Sequence, residues 1–381
     1  MAKSRISVKI LLPFILIAAV LLTLAIVPLS SETAPVGLGA VSSLDETSET
    51  ETPESEAAVP CAVSSLAEPE ESAAESVASE EPETSRMPES AAPPAERPEI
   101  ETSSAPESET SSTASASGPD VAAKYAMLTD AANGRVLYQQ GGTESRLYPA
   151  STTKLFTAYV ALQYLEPEEI ITAGDELELL QPGSSIAYIL RGHRLSVEML
   201  VEGMLLPSGN DAAYILAAAA GRKIAGDEAL AATPAVEAFV GEMNRQAENH
   251  GLSHTHFVCP DGYHDDEHYT TLADAVDIAR LALSNDLIVR YASMASDKVY
   301  YASGENITWT NTNQLIQPDS PYYCEEAIGL KTGFTDEAGY CLLAAARFGP
   351  SEVIVAVFGS DSSEARFSTA AELLEYYRTL L

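Results

Sequence analysis

Strand-forming segments sit at both ends of residues 119–381 and helix-forming segments fill the middle, an order that leaves few ways to build one core. At the start, Tyr125 to Thr129 and Arg135 to Gln139 flank Asp130-Ala131-Ala132-Asn133-Gly134, whose Asn-Gly pair marks a hairpin turn. Towards the end, Val299 to Tyr301, Ile307 to Thr310, Ala327 to Thr332, Gly339 to Arg347 and Val353 to Gly359 have strand patterns, and a helix from about Ser363 to Leu380 follows. The middle holds helical stretches from Leu195 to Leu206 and from Asp211 to Ala220. A helix started by Pro234 carries Val236, Phe239, Val240 and Met243, and Thr271-Leu272-Ala273-Asp274 has the form of a capping box for a helix through Leu283. The order predicts a mixed α/β domain in which strands from both termini form one antiparallel sheet beside a helical lobe.

The preceding residues cannot join that core. Between Ser31 and Gly118 the chain is almost entirely Glu, Ser, Thr, Ala and Pro, with twenty acidic residues against Arg86 and Arg97. Such a stretch has too little apolar surface to offset its ordering entropy, so residues 31–118 read as a disordered acidic linker, spanning at least roughly 50 Å. Ahead of it, Lys3, Arg5 and Lys9 precede an apolar run from Ile10 to Leu29. As a helix this run is on the order of 30 Å long, enough to cross a bilayer. Residues 1–30 therefore read as a basic cytoplasmic flank and a retained membrane anchor, with everything after them outside the cell. The rival reading is a cleavable signal peptide, but the best small-residue site, Leu38-Gly39-Ala40, lies well past the apolar run.

Chemistry concentrates at Tyr148-Pro149-Ala150-Ser151-Thr152-Thr153-Lys154-Leu155, a loop turning into an apolar helix. Residues three apart share a helix face, so Ser151 and Lys154 can enter one cleft together. A serine is a nucleophile at neutral pH only if a neighbouring base takes its proton, and a desolvated lysine can be that base. Backbone N–H groups at the helix start can stabilise an oxyanion. Alone, the pair is equally a serine at a helix N-terminus with a lysine one turn on. Two further groups accompany it. Pro207-Ser208-Gly209-Asn210-Asp211 can offer a hydroxyl and an amide from a loop between helices, although its composition is also that of an ordinary turn. Leu330-Lys331-Thr332-Gly333-Phe334 can offer a cation and a hydroxyl from a strand, with Gly333 leaving room for a ligand against the strand edge.

These Ser-x-x-Lys, Ser-x-Asn and Lys-Thr-Gly groups occur in that order on a helix start, a loop and a strand. In this the chain closely resembles the penicillin-binding serine D-alanyl-D-alanine carboxypeptidases of the S11 peptidase type, relatives of the serine β-lactamases. The likeness covers essentially all of residues 120–381. It implies a DD-peptidase fold, with a five-stranded antiparallel sheet flanked by helices and a helical lobe. It also implies removal of the last D-alanine from peptidoglycan stem peptides, β-lactam binding, and no cofactor. By the resemblance, Ser151 is the acylated nucleophile, Lys154 its base and Ser208 a proton relay. Asn210 binds the peptide backbone, Lys331 and Thr332 bind the terminal carboxylate with help from Arg366, and the N–H of Phe334, next to Gly333, joins that of Ser151 in an oxyanion hole.

Some features depart from the family pattern. Cys259, in His256-Phe257-Val258-Cys259-Pro260-Asp261-Gly262, stands where relatives usually have asparagine. Many relatives carry a C-terminal β-domain and terminal anchor, whereas this chain stops at Leu381; the N-terminal span would take over that anchoring.

Three other functions fit parts of the sequence less well. Five of six histidines fall between His250 and His268, and His254, His256, His264 and His268 could be zinc ligands, although no His-Glu-x-x-His motif occurs. A β-lactamase needs a residue to position its deacylating water, and the context of Asp227 and Glu228 does not match one. An idle wall-binding module would not need three intact motifs. Of four cysteines, Cys61 reads as a linker residue and Cys341 as a buried thiol, while Cys259 and Cys324 could pair. The formal charge of −35, only partly due to the linker, argues against nucleic-acid binding.

Overall fold

A computed structural model of the chain describes residues 118–381. The anchor and linker readings fall on residues 1–117, outside the described part. Among the described residues, no helix is long and apolar enough to cross a membrane.

A five-stranded antiparallel sheet forms from both ends of this region, as its pattern predicts. Strands β1 (Tyr125–Asp130) and β2 (Val136–Gln140) form the hairpin around Gly134, which takes a left-handed φ of 72°. The sheet is completed by β7 (Ala327–Thr335), β8 (Gly339–Phe348) and β9 (Ser351–Ser360) in the order β2-β1-β9-β8-β7. The first and last strands are thus paired in the middle, and β7 is an edge.

Both faces of the sheet are buried. On one, Leu128, Leu342, Val355 and Val357 pack with Phe367, Leu373, Leu374 and Tyr377 of helix α7 (Ser363–Leu380). On the other, Met127, Leu343, Ile354 and Ala356 belong to a core shared with the helical lobe. The register Met127↔Ala356 beside Leu128↔Val355 shows how period-two alternation sorts neighbours onto opposite faces.

The lobe contains α1 (Lys154–Ala161), α2 (Val197–Leu205), α3 (Asn210–Ala225), α4 (Ala232–Asn249), α5 (Leu272–Leu283) and α6 (Asp286–Ala292). Helix α4 begins two residues before Pro234, which occupies a first-turn position whose N–H would have no intrahelical partner. Half of the capping box forms: Thr271 Oγ1 accepts from Asp274 N at 3.2 Å. The Asp274 carboxylate instead accepts from His254 N at 3.0 Å and Thr255 Oγ1 at 2.7 Å.

Two parts were not foreseen. Strands β3 (Ile170–Thr172) and β4 (Arg194–Ser196) pair over only three residues each, too few for periodicity to register. Helix α6 is capped by Asn285, whose side chain accepts from Leu287 N and Ile288 N. The strands near Val299 and Ile307 form a separate hairpin, β5 (Ser296–Tyr300) with β6 (Asn306–Thr310). Only Val299 and Trp309 are fully buried in it, too little apolar surface for a sheet interior covered on both faces.

Candidate active site

Ser151 lies in a 3₁₀ turn, Ala150–Thr153, that runs into α1 at Lys154. The tighter turn still aligns the two side chains, and Lys154 Nζ lies 2.6 Å from Ser151 Oγ. Nζ also donates to Asp261 O at 2.8 Å. Lys154 is fully buried, and burial lowers its pKa to about 8, although nearby Asp261, Cys259 and Asp211 oppose the shift. The site therefore holds a lysine that loses its proton far more readily than one in water.

Two glycines allow the turn to sit where it does. Gly262 has φ 80°, and a Cβ there would lie 1.9 Å from Ala150 O. A Cβ on Gly333 would lie 3.0 Å from Pro149 O, Ala150 Cβ and Ser151 N. The space a side chain would need at Gly333 is filled by the serine turn, while Gly333 itself lines the cavity described below. The same approach sets the Ser151 amide beside the backbone of β7.

The second motif spans the α2–α3 junction. Ser208 has a left-handed φ of 65°, and its carbonyl accepts from Ser185 Oγ at 2.7 Å. Asn210, the first residue of α3, donates to Ser184 Oγ at 3.0 Å and accepts from Ser185 Oγ at 3.3 Å. Asp211 carries a role that motif reading missed. Its carboxylate accepts from the N–H groups of Ala187 at 2.8 Å and Ile189 at 2.9 Å, fastening the 184–190 segment to α3. Trp309 Nε1 holds the same segment through Ala187 O at 2.9 Å. An aspartate at a helix start was the available signal.

The third motif divides between two environments. Thr332 Oγ1 is 2.6 Å from Thr312 Oγ1, and both residues line a cavity of about 630 Å³. Thr312 was also missed, because it lies between elements. Lys331 does not line this cavity: it is buried, and its ammonium donates to Thr332 O at 3.0 Å. Burial, with Lys154 and Arg366 nearby, holds its pKa well below that of a free lysine. Thr332 lines the cavity directly, and Lys331 lies buried close enough to Lys154 and Arg366 for their charges to act on it.

Arg366 reaches the cavity from α7. Its guanidinium donates to Gly333 O at 3.1 Å, Cys341 O at 3.2 Å and Ser363 Oγ at 3.1 Å, all uncharged acceptors. Burial lowers its pKa to about 10, and Nε has no protein partner. Ser151, Ser208, Asn210, Gly333 and Phe334 line the same cavity, together with Gly262, Tyr263 and His264. Phe334 is exposed and its ring lies 4.4 Å from that of Tyr340. The geometry supplies a nucleophile paired with a buried amine, a hydroxyl pair, and a cation lacking an anion.

The histidines near this cavity do not converge. His268 is buried between Thr153 Oγ1 at 2.9 Å and Cys259 Sγ at 3.4 Å, with burial lowering its pKa to about 3. His256 Nδ1 pairs with Glu267 O at 2.6 Å, and His254 Nδ1 lies 3.2 Å from Glu144. Among the described residues no three His, Cys, Asp or Glu side chains are arranged to hold a metal. Cys259 and Cys324 are both free thiols: the first contacts His268, the second Glu326 and Arg378. Cys341 is buried, as its apolar strand predicts, and burial pushes its thiol up to about 12.

A family model described as D-alanyl-D-alanine carboxypeptidase matches residues 111–362. The chain is 30% identical over 258 residues to D-alanyl-D-alanine carboxypeptidase DacF of Bacillus subtilis, covering 67% of this chain and 61% of that protein. It is 34% identical over 270 residues to a D-alanyl-D-alanine carboxypeptidase of Streptomyces strain K15, covering 68% and 88%. Among solved structures, the Streptomyces K15 DD-transpeptidase is similar with a TM-score of 0.62 at 31% identity, over 69% of this chain and 99% of that one. Penicillin-binding protein D2 of Listeria monocytogenes, solved in an ampicillin-bound form, gives a TM-score of 0.56 at 28% identity, over 68% and 99%.

Proposed function

This chain belongs to the D-alanyl-D-alanine carboxypeptidase family, and we propose that it removes the terminal D-alanine from peptidoglycan stem peptides by a serine acyl-enzyme route. The observation that carries this reading is Lys154 Nζ, fully desolvated and 2.6 Å from Ser151 Oγ.

Lys154 in its neutral form takes the Ser151 proton as Oγ attacks the penultimate D-alanine carbonyl. The Ser151 and Phe334 N–H groups stabilise the oxyanion, and the close approach of β7 at Gly333 supports that pairing. Collapse breaks the peptide bond, and the proton returns to the departing amine through Ser208. Water then cleaves the Ser151 ester and frees the shortened peptide. Asn210 holds the substrate backbone. Thr332 and Arg366 meet the terminal carboxylate at the cavity surface, with Lys331 buried next to Thr332. β-Lactams acylate the same serine.

The proposal extends to location. Ile10 to Leu29 anchors the chain in the membrane, and residues 31–118 let the catalytic part reach the wall outside. Recovery of an intact N-terminus in the membrane fraction supports this, and a mature protein starting beyond Leu29 contradicts it.

The direct test is D-alanine release from diacetyl-L-Lys-D-Ala-D-Ala by the full chain, with penicillin or a metal chelator added. Release should stop with penicillin and continue with chelator; chelator-sensitive release would move the chemistry to a metal. Ser151→Ala should abolish covalent penicillin labelling, and labelling that persists would overturn the assignment. A solved neighbour's name, DD-transpeptidase, motivates adding an amine acceptor and analysing products, since the same acyl-enzyme can be resolved by an amine instead of water.

A further inference from the structure

The loop that holds Lys154 Nζ carries a carboxyl group for which the acyl-enzyme route has no use. Asp261 is fully buried and does not line the cavity. Its Oδ1 accepts from Tyr263 N at 3.2 Å, and its Oδ2 is buried without a hydrogen-bond partner. A bare carboxylate oxygen away from water is unfavourable unless a cation lies near. The backbone supplies one. Lys154 and Thr157, one turn apart on α1, donate to consecutive carbonyls of this loop: Nζ to Asp261 O at 2.8 Å and Oγ1 to Pro260 O at 2.6 Å. Gly262 packs against Ala150 O, so the loop is fixed on both sides of Asp261. The covalent frame of one residue then keeps the carboxylate within roughly 8 Å of Nζ, with little water to screen it.

We infer that the Asp261 carboxylate is the counter-charge of Lys154, stabilising its ammonium and so setting the pH at which the lysine becomes a base. This rests on the acyl-enzyme reading above and deepens it. Asp261 acts through Lys154 and is a positioning residue. The other groups facing the lysine are less suited to the part. On α3, Asp211 spreads its charge over the N–H groups of Ala187, Ile189 and Ala212, and burial raises its pKa. Burial also keeps the Cys259 thiol and the Tyr214 hydroxyl protonated, and it holds His268 neutral by lowering its pKa to about 3. Lys331, on β7, has the same sign as the ammonium and opposes it. Burial brings the Lys154 pKa down to about 8, and Asp261 is the foremost charge resisting that fall.

The test is the pH profile of penicillin acylation by the full chain carrying Asp261→Asn, Asp261→Ala or Asp261→Glu. The first keeps an acceptor for Tyr263 N without the charge, the second removes both, and the third keeps the charge. The wild-type rate should rise to a plateau through a midpoint of about 8. In the Asn and Ala variants the midpoint should fall by about one pH unit, which makes the neutral lysine about tenfold more abundant on the acid side. Their plateau should also fall, because a weaker base takes the serine proton less well. The Glu variant should keep the wild-type midpoint. A midpoint comes from the normalised profile, so a smaller folded fraction does not move it. NMR titration of isotope-labelled lysine, with Lys154 assigned through Lys154→Arg, reads the same shift in variants too slow to acylate. A midpoint unchanged in the Asn and Ala variants overturns the inference and leaves the acyl-enzyme reading standing. So does a shift in the Ala variant alone, which would assign the effect to the Tyr263 hydrogen bond. Absence of acylation in the wild-type chain overturns that reading itself.

Discussion

At Lys154 the whole side chain is out of water, and its ammonium keeps two partners, Ser151 Oγ and Asp261 O. Desolvation penalises the charged form and lowers the pKa to about 8. Only the neutral amine can accept the serine proton, so acylation should rise with pH and level off above about 8 as Lys154 deprotonates. A kcat/KM profile for penicillin acylation checks this, and a flat profile from pH 6.5 to 9 would oppose it. Lys154→Arg, which stays charged, should acylate at least about 100-fold more slowly, the usual scale of lost general-base catalysis. The identities of Ser151 and Lys154 were legible because three-residue spacing is local information. That Lys331 is buried and does not line the cavity was not, because its burial depends on elements far away in the chain. Asp211 and Thr312 escaped for a related reason: each acts through a partner distant in sequence.

Among the elements, the serine turn is gripped from two sides, by the loop at Gly262 and by the edge strand at Gly333. Gly262→Ala places a methyl group against the Ala150 carbonyl on a backbone with φ 80°, so the loop or the turn must move. A stability loss of about 2–4 kcal/mol is expected, together with an acylation rate reduced well beyond the change in substrate affinity. Denaturation and single-turnover labelling measure the two effects separately; unchanged acylation in a folded variant would show that the grip is dispensable. Element types were readable where the apolar pattern was long, as in β8, β9 and α7. Hairpin β3–β4 has three residues per strand, and β5–β6 resembles any other strand pair until its lack of a second apolar face is considered.

At the scale of the molecule, pH acts through the core as well as the site. Glu202 is buried where α2, α6 and β5 approach, and its Oε1 has no hydrogen-bond partner. Burial, reinforced by Asp297 and Glu198, raises its pKa to about 8, so the folded chain binds a proton there that the unfolded chain releases near 4.5. That stabilisation is full below about pH 4.5 and is lost as pH rises through about 8. Glu202→Gln removes the titration while keeping the shape. It should leave unfolding near pH 4.5 almost unchanged and stabilise the protein by roughly 4 kcal/mol at pH 8. Paired melts at the two pH values decide it, and equal shifts at both would contradict the assignment.

The sheet order has a consequence for synthesis. Strand β1 emerges from the ribosome early but has its inner edge satisfied only by β9, and Arg366 lies beyond even that strand. A chain still being made carries its serine and lysine but lacks a closed sheet, the late strand that grips the serine turn, and the cation at the end of the cavity. Such long-range pairing is slow, and the early strand stays exposed while it waits. A chain truncated anywhere before α7 is therefore expected to lack catalytic competence.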